Sequence, residues 1–371
     1  LTVRNFAQIR TASVPLADLS IIVGPQATGK SLLLQWLKLA IDGRRVLGTL
    51  VDHGFSADST AELLAAHFGD GMQAAWRASS SVSLSSHKVD PQALVDGRAR
   101  HEPDRLFYVP AHRTLMLVDG WPQRLIAPEV PFVARLFSEW LLESVTDLAR
   151  HRDAVFPDPG RLKDGFRRYV NDAIFHGGQL RLASTGLRRQ LKLRYGKEDL
   201  SFMSWTTGQR EFVPLLLALY SLLPAGKLSR REPIEWVVIE EPELGLHPRG
   251  TLAVMLFVFE LLHRGYRVAL ATHSPVVLDV AWGVQQLAGR GSAQRLCEAF
   301  DIAPTNDVIG VMKSALGASV SVTYLHYGKN GVVSTDISSL DPASEDEHVA
   351  GWGGLTGWSG RFSAAVAADR Q

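Results

Sequence analysis

The stretch "IIVGPQATGK SLLLQWLKLA", residues 21–40, sets an apolar run against a loop of small and polar residues, then a second apolar run with helical spacing. Leu19-Ser20-Ile21-Ile22-Val23 reads as a buried strand, and Leu32, Leu33, Leu34, Trp36, Leu37 and Leu39 read as a strongly apolar helix. Between them Gly24-Pro25-Gln26-Ala27-Thr28-Gly29-Lys30-Ser31 satisfies G-x-x-x-x-G-K-[ST], a pattern that carries weight only between a strand and a helix. Both flanks are present. Backbone N–H groups of such a loop, with the positive end of the helix dipole behind them, surround a phosphate. The Lys30 ammonium would reach the β- and γ-phosphates and the Ser31 hydroxyl would hold Mg²⁺.

Nucleotide hydrolysis also needs an acidic metal partner and a group that orients the attacking water, both at the end of a neighbouring strand. Residues 235–248, "EWVVIEEPELGLHP", supply that pattern: Trp236-Val237-Val238-Ile239 is an apolar strand closed by Glu240 and Glu241. Adjacent strand residues point to opposite faces, so the two carboxylates need not share one task. A third apolar strand, Tyr266 to Thr272, ends in His273-Ser274-Pro275. Alone, that histidine reads as a turn or capping residue; downstream of an acidic strand it is placed for sensing a γ-phosphate.

The order of these motifs resembles the ABC-type ATPases of the structural-maintenance-of-chromosomes, Rad50 and overcoming-lysogenization-defect group. Trp205-Thr206-Thr207-Gly208-Gln209 is similar to the Leu-Ser-Gly-Gly-Gln signature of that group, with Thr206 at the serine position and Thr207 replacing the first glycine. The resemblance implies ATP and Mg²⁺ as ligands, Gly24, Gly29, Lys30 and Ser31 as the Walker A set, and Glu240 at the Walker B metal position, where the usual residue is Asp. It further implies Glu241 as the catalytic base, Glu243 to Pro248 as the loop between two heads, and His273 as the switch histidine. Ala27 stands where the group often has Gly. Because the signature faces the nucleotide of a second subunit in that group, Thr206 to Gln209 imply a homodimer formed on ATP binding, or a higher oligomer. "LFYVPAHR", residues 106–113, matches a strand followed by Pro-Ala-x-Arg in compact AAA-type ATPases associated with anti-phage defence. Arg113 then reads either as a phosphate contact or as a surface ion-pair residue.

The expected fold is α/β, an ABC-type P-loop NTPase head with a mixed β-sheet and a compact, mainly helical insertion. Only Leu32 to Trp205 separate loop and signature, without sustained heptads and with breakers such as "FPDPGR" at 156–161, which excludes a long coiled coil. The division expected is 1–50 for the N-terminal part of the head, and 51–200 for an insertion or lid, largely helical with a central strand near 106–110. Residues 201–290 would form the rest of the head and 291–371 a hairpin and docking tail. Residues 131–151 read as an amphipathic helix, and 178–195 as two short strands around Ser184-Thr185-Gly186. Residues 56–88 read as a helix and then a polar loop, and residues 1–20 as an antiparallel edge.

Composition bounds what else the chain does. It has 371 residues, 46% of them hydrophobic, with Lys+Arg 39 against Asp+Glu 38, so no global field draws it to nucleic acid or to an anionic membrane. The single Cys297 excludes an intrachain disulfide and fits a reducing compartment. No apolar run reaches membrane-spanning length, and no charged-then-apolar leader opens the sequence, so a cytoplasmic protein without membrane contact is expected. Charge is uneven locally: from Arg161 to Lys197 ten Lys and Arg residues face only Asp164 and Asp172. That segment reads equally as a DNA- or RNA-contacting face and as a solvated or protein-binding one. Nothing after His273 reads as a nuclease, which puts any effector activity in a separate partner protein. With the resemblance, the expected function is an ATP-gated switch controlling an effector in phage defence; the alternatives are a DNA-repair ATPase clamping DNA through the basic segment and a nucleotide-sensing scaffold that does not hydrolyse.

Overall fold

The computed structural model describes residues 1–97, 102–186, 188–224, 230–289 and 292–368. Its frame is a ten-stranded mixed sheet. Six strands come from the first part of the chain: β1 (Thr2–Phe6), β2 (Ile9–Ser13), β3 (Leu19–Val23), β4 (Trp76–Leu84), β5 (His87–Val89) and β6 (Leu106–Val109). Two short strands, β7 (Leu117–Val118) and β8 (Trp121–Pro122), pair as a separate ribbon. A second, antiparallel sheet holds β9 (Ala154–Phe156), β10 (Gln179–Thr185), β11 (Arg188–Tyr195) and β12 (Glu198–Leu200). The large sheet is completed by β13 (Trp236–Glu240), β14 (Arg267–Thr272), β15 (Val320–Gly328) and β16 (Gly331–Asp336), in the order β5-β4-β1-β2-β16-β15-β3-β14-β13-β6.

The block β15-β3-β14-β13-β6 is parallel throughout. Parallel strands are covered on both faces and therefore read as unbroken apolar runs. All five residues of β3 and of β13 are buried. Alternation divides them between two cores: Ile21, Val23, Val237, Ile239, Val268 and Leu270 join one, whereas Ile22, Trp236, Val238, Ala269 and Ala271 join the other. The helix Lys30–Asp52 covers the second face through Leu33, Trp36 and Leu37. The helices Thr207–Leu222 and Pro248–His263 cover the first.

A buried ion pair fastens the helix after the loop to β6. Lys38 Nζ donates to Asp42 Oδ2 at 2.7 Å, to Asp104 Oδ1 at 2.5 Å and to the Leu106 carbonyl at 2.8 Å. The Asp42 carboxylate in turn accepts from the N–H groups of Arg105 and Leu106. Asp42 itself leaves helical geometry (φ −117°), the kink that turns its side chain to this task.

Two expectations are corrected. The polar loop read within 56–88 is instead the strand pair β4 and β5, with Thr2, Val3 and Arg4 of β1 opposite Ser83, Val82 and Ser81. Its serines conceal the alternation, since Val82 is its one fully buried apolar residue, and Trp76 joins Phe6, Trp36 and Phe68 in an aromatic cluster with centroids 5.0–6.4 Å apart. The N-terminal residues 1–20 consequently do not form an edge: β4 covers β1, and the sheet ends at β5 and β6. The helices expected at 131–151 and after the loop, the strand pair within 178–195, and the hairpin turning at Lys329-Asn330 are all present. Residues 51–200 contribute β4, β5 and β6 to the large sheet as well as the second sheet and their helices. Among the described residues no helix is long and apolar enough to cross a membrane.

Candidate functional site

Three adjacent parallel strands deliver the predicted chemistry to one end of the sheet. β3 runs into the glycine-rich loop, β14 into His273, and β13, on its far side, into Glu240 and Glu241. This is the carboxyl end of the strands, where open α/β sheets bind ligands.

The loop's shape is dictated by close approaches. Gly24 has φ +154°, and a Cβ there would sit 2.4 Å from the Leu325 carbonyl oxygen. Gly29 (φ +91°) caps the helix in the left-handed region, with Ile9 packed against it. Ala27, at φ +60°, occupies a conformation that costs a residue with a Cβ about 1–2 kcal/mol. Its carbonyl accepts from Gln8 Nε2 at 3.0 Å and from Tyr327 Oη at 2.9 Å, which holds the crest in place. Thr28 is buried and closes the loop from within, its hydroxyl donating to the Pro25 carbonyl, while Pro25, Gln26 and Ala27 are exposed. Lys30 is 7% exposed and donates to the Gly24 and Pro25 carbonyls at 2.8 and 2.9 Å. Burial lowers its pKa to about 8 against the opposing pull of Glu241, Glu243 and Glu240.

The acidic side is equally constrained. Glu240 is buried, and burial raises its pKa, while the Ser31 hydroxyl, the Ala111 N–H and Tyr108 act against the rise. Oε2 accepts from Ala111 N at 3.1 Å, and among the described residues Oε1, buried near the Ser31 and Tyr108 hydroxyls, has no hydrogen bond of ordinary geometry. An orphaned carboxylate oxygen beside a serine hydroxyl is a donor set suited to a hard divalent cation, so Ser31 and Glu240 fit Mg²⁺. Glu241 has φ +43°, a strained setting for a residue with a long side chain, of the kind that clusters at functional sites. Its N–H is held by the Ala271 carbonyl. Glu243 was legible only as part of a loop; its Oε1 accepts from Thr272 Oγ1 at 2.9 Å and from the His273 N–H at 2.6 Å, which couples the acidic loop to the end of β14. The third acid of the run Glu-Glu-Pro-Glu was the signal for it. His273 is half-buried; burial, then the Lys30 charge, lowers its pKa against the pull of Glu241, which favours the neutral imidazole.

Two predicted residues stand differently. Arg113 is fully buried and faces backbone: Nε donates to the Glu211 carbonyl, Nη1 to the Pro110 and Glu240 carbonyls, and Nη2 to the Glu241 carbonyl, at 3.0–3.3 Å. It is therefore not a surface ion-pair residue: its donors bind the ends of β6 and β13 and the helix Thr207–Leu222. In the signature, Thr206 caps that helix in a reciprocal capping box with Gln209. The Gln209 amide turns inward, donating to the Ile174 carbonyl and to Tyr195 Oη. Thr206 and Thr207 remain exposed, and Gly208 packs against the Gly245 carbonyl, close enough that a Cβ would lie 3.0 Å away.

The basic segment is less free than its composition implied. Asp158 pairs with Arg161, Asp164 with Arg167 and Arg168, Asp153 with Arg189, Asp199 with Arg194, and Glu260 with Lys163. Four of these five acids lie outside residues 161–197, where a local count misses them. Leu187 and the side chain of Arg188 lie outside the described residues.

A strand, a glycine-rich loop and a helix thus face a glutamate pair and a histidine across the parallel strands of a mixed α/β fold. Residues 133–279 match the family model described as "AAA domain, putative AbiEii toxin, Type IV TA system". No curated protein matches the sequence. Similar solved structures include an Smc head bound to the C-winged helix domain of ScpA, at 9% identity and TM-score 0.43, covering 90% of this chain and 95% of that one. The SMC head domain from Thermotoga maritima matches at 13% identity and TM-score 0.36, covering 90% and 97%. An Smc head with an extended coiled coil bound to the C-terminal domain of ScpA, derived from Pyrococcus furiosus, matches at 10% and 0.39, covering 90% and 94%.

Proposed function

We propose that this chain is an ABC-type ATPase that binds and hydrolyses ATP and works as an ATP-gated dimeric switch, controlling a separate effector in a bacterial anti-phage system. The observation that carries the ATPase reading is the convergence of Lys30, Ser31, Glu240, Glu241 and His273 on the ends of β3, β13 and β14. In this reading Lys30 and the N–H groups of Gly24 to Ser31 hold the β- and γ-phosphates. Ser31 and Glu240 would hold Mg²⁺, which when bound would supply positive charge against the phosphate oxygens. Glu241 accepts the proton of the attacking water, its backbone fixed from below by Arg113 and Ala271. His273, positioned by Glu243, senses the γ-phosphate.

The dimeric part rests on Thr206, Thr207 and Gly208, which present the N-terminus of a sixteen-residue helix at the surface, a setting suited to a phosphate carried by a second copy. The defence role rests on the resemblance carried by "LFYVPAHR", residues 106–113, beside a family model over residues 133–279 whose description names a toxin of a toxin–antitoxin system. DNA clamping is the weaker reading, since ion pairs engage most of the basic segment.

Phosphate release tests the catalytic assignment. Glu241→Gln is expected to lose about 10²–10⁴-fold in turnover while retaining ATP, and Lys30→Ala to lose ATP binding itself. Turnover by Glu241→Gln at the wild-type rate would contradict it.

A further inference from the structure

The helix Phe132–His151 buries an arginine: Arg135 is 4% exposed and lines a cavity of about 180 Å³ that shares no residue with the site at the strand ends. Two contacts hold its guanidinium. Nη2 donates to the Ala66 carbonyl of the helix Thr60–Phe68, and Cζ lies 4.0 Å from the centre of the Phe55 ring, a cation–π contact. Nε and Nη1 are buried and have no acceptor among the described residues. The acid placed to neutralise this cation is Glu139, one turn further along the same helix. Both of its oxygens are engaged elsewhere: Oε2 lies 2.9 Å from His53 Nε2, and Oε1 lies 3.0 Å from Arg124 Nη2. Burial lowers the Arg135 pKa, and no acidic group pulls against it. A buried charge with unpaired donors is costly to the fold, so its retention calls for a reason other than packing.

The rest of the lining states what would complete it. His53, Arg124 and Glu139 stand at the same cavity, so two arginines and a histidine face a single carboxylate. Phe55, Leu125 and Ile126 supply an apolar part, and Ile126, 79% exposed, stands on its solvent side. A cavity of about 150 Å³ holds a group the size of benzene, whereas pockets for larger ligands run from about 300 Å³ upward. The space therefore suits an anion with a short apolar stem and excludes a nucleotide. We propose that this cavity is a binding site for a carboxylate on a short apolar stem, the anion set against the Arg135 guanidinium and the stem against Phe55, Leu125 and Ile126. A free aliphatic acid and the C-terminal residue of another polypeptide share that chemistry. The site is independent of the phosphate-loop reading.

Calorimetry on the full chain tests this with 4-methylpentanoate, the acetylated tripeptide glycyl-glycyl-leucine with a free C-terminus, the uncharged amide of each, and inorganic phosphate. Saturable binding of an acid is expected, with its amide weaker by about tenfold or more; whichever acid binds more tightly, free or peptide, identifies the source. Arg135→Met should remove the preference for acid over amide. Because Arg135 also ties two helices together through Ala66, a second variant leaves it in place. Ile126→Glu sets a like charge on an exposed side chain and should weaken the acid by about two- to fivefold more than the amide. Equal binding of acid and amide, phosphate binding as tightly as either acid, or no saturable binding of either acid would each overturn the proposal. An Ile126→Glu protein that binds both acids as wild type does would overturn it as well.

Discussion

Lys30, Glu240 and Glu243 are withdrawn from water around one loop, and each has its pKa moved by that withdrawal. His67 shows the same physics away from the site. It is fully buried against Phe68 and Phe132, with Nε2 3.0 Å from the Gln35 carbonyl oxygen, and burial lowers its pKa to about 4. The sign follows from linkage. Unfolded, the imidazole titrates near 6.5, so below that pH the unfolded chain takes up a proton that the folded chain refuses. Stability should fall as pH drops from about 6.5 to about 4 and this contribution should then level off, with a total of about 3 kcal/mol. Urea unfolding at pH 7 and pH 5 checks this: His67→Phe should show a smaller loss between the two pH values than wild type. Equal losses would mean that His67 is protonated in the fold.

Strands and helices were legible in the sequence where burial is two-sided. β3, β13 and β14 are continuous apolar runs ending in polar chemistry, and the loop between β3 and its helix carries its own pattern. β4 was not legible, because a Ser-rich strand with a single fully buried apolar residue has no clear period, and only the chain pairing beside it defines the strand. Arg113 was recognisable as notable but not in its role, since most of the carbonyls it binds belong to elements about a hundred residues away in sequence. Its guanidinium joins the ends of β6 and β13 to the helix Thr207–Leu222. Arg113→Met should therefore cost about 3 kcal/mol or more in stability, through buried carbonyls left without donors, and should do so without nucleotide. Chemical denaturation of the nucleotide-free chain reads that loss. A variant with wild-type stability and lost ATP affinity would show that Arg113 contacts phosphate instead.

The mixed sheet separates two tasks. Its parallel half carries the phosphate and acidic groups, and its antiparallel wing, with the hairpin β15–β16, closes around the loop from the other side. The signature threonines lie on the surface. The signature glutamine, however, serves the fold by tying the helix to Tyr195 and Ile174, a role that only the packing of the second sheet reveals. The state of the basic segment was hidden for a related reason, its acidic partners lying mostly outside the segment and, for Glu260, distant in sequence.

If ATP closes two copies of this chain and hydrolysis reopens them, the solution mass must follow the nucleotide. The measurement is the mass of wild type, Lys30→Ala and Glu241→Gln with and without Mg-ATP. An ATP-dependent dimer should persist in Glu241→Gln and never form in Lys30→Ala. A mass that ignores ATP in all three proteins would contradict the two-headed switch.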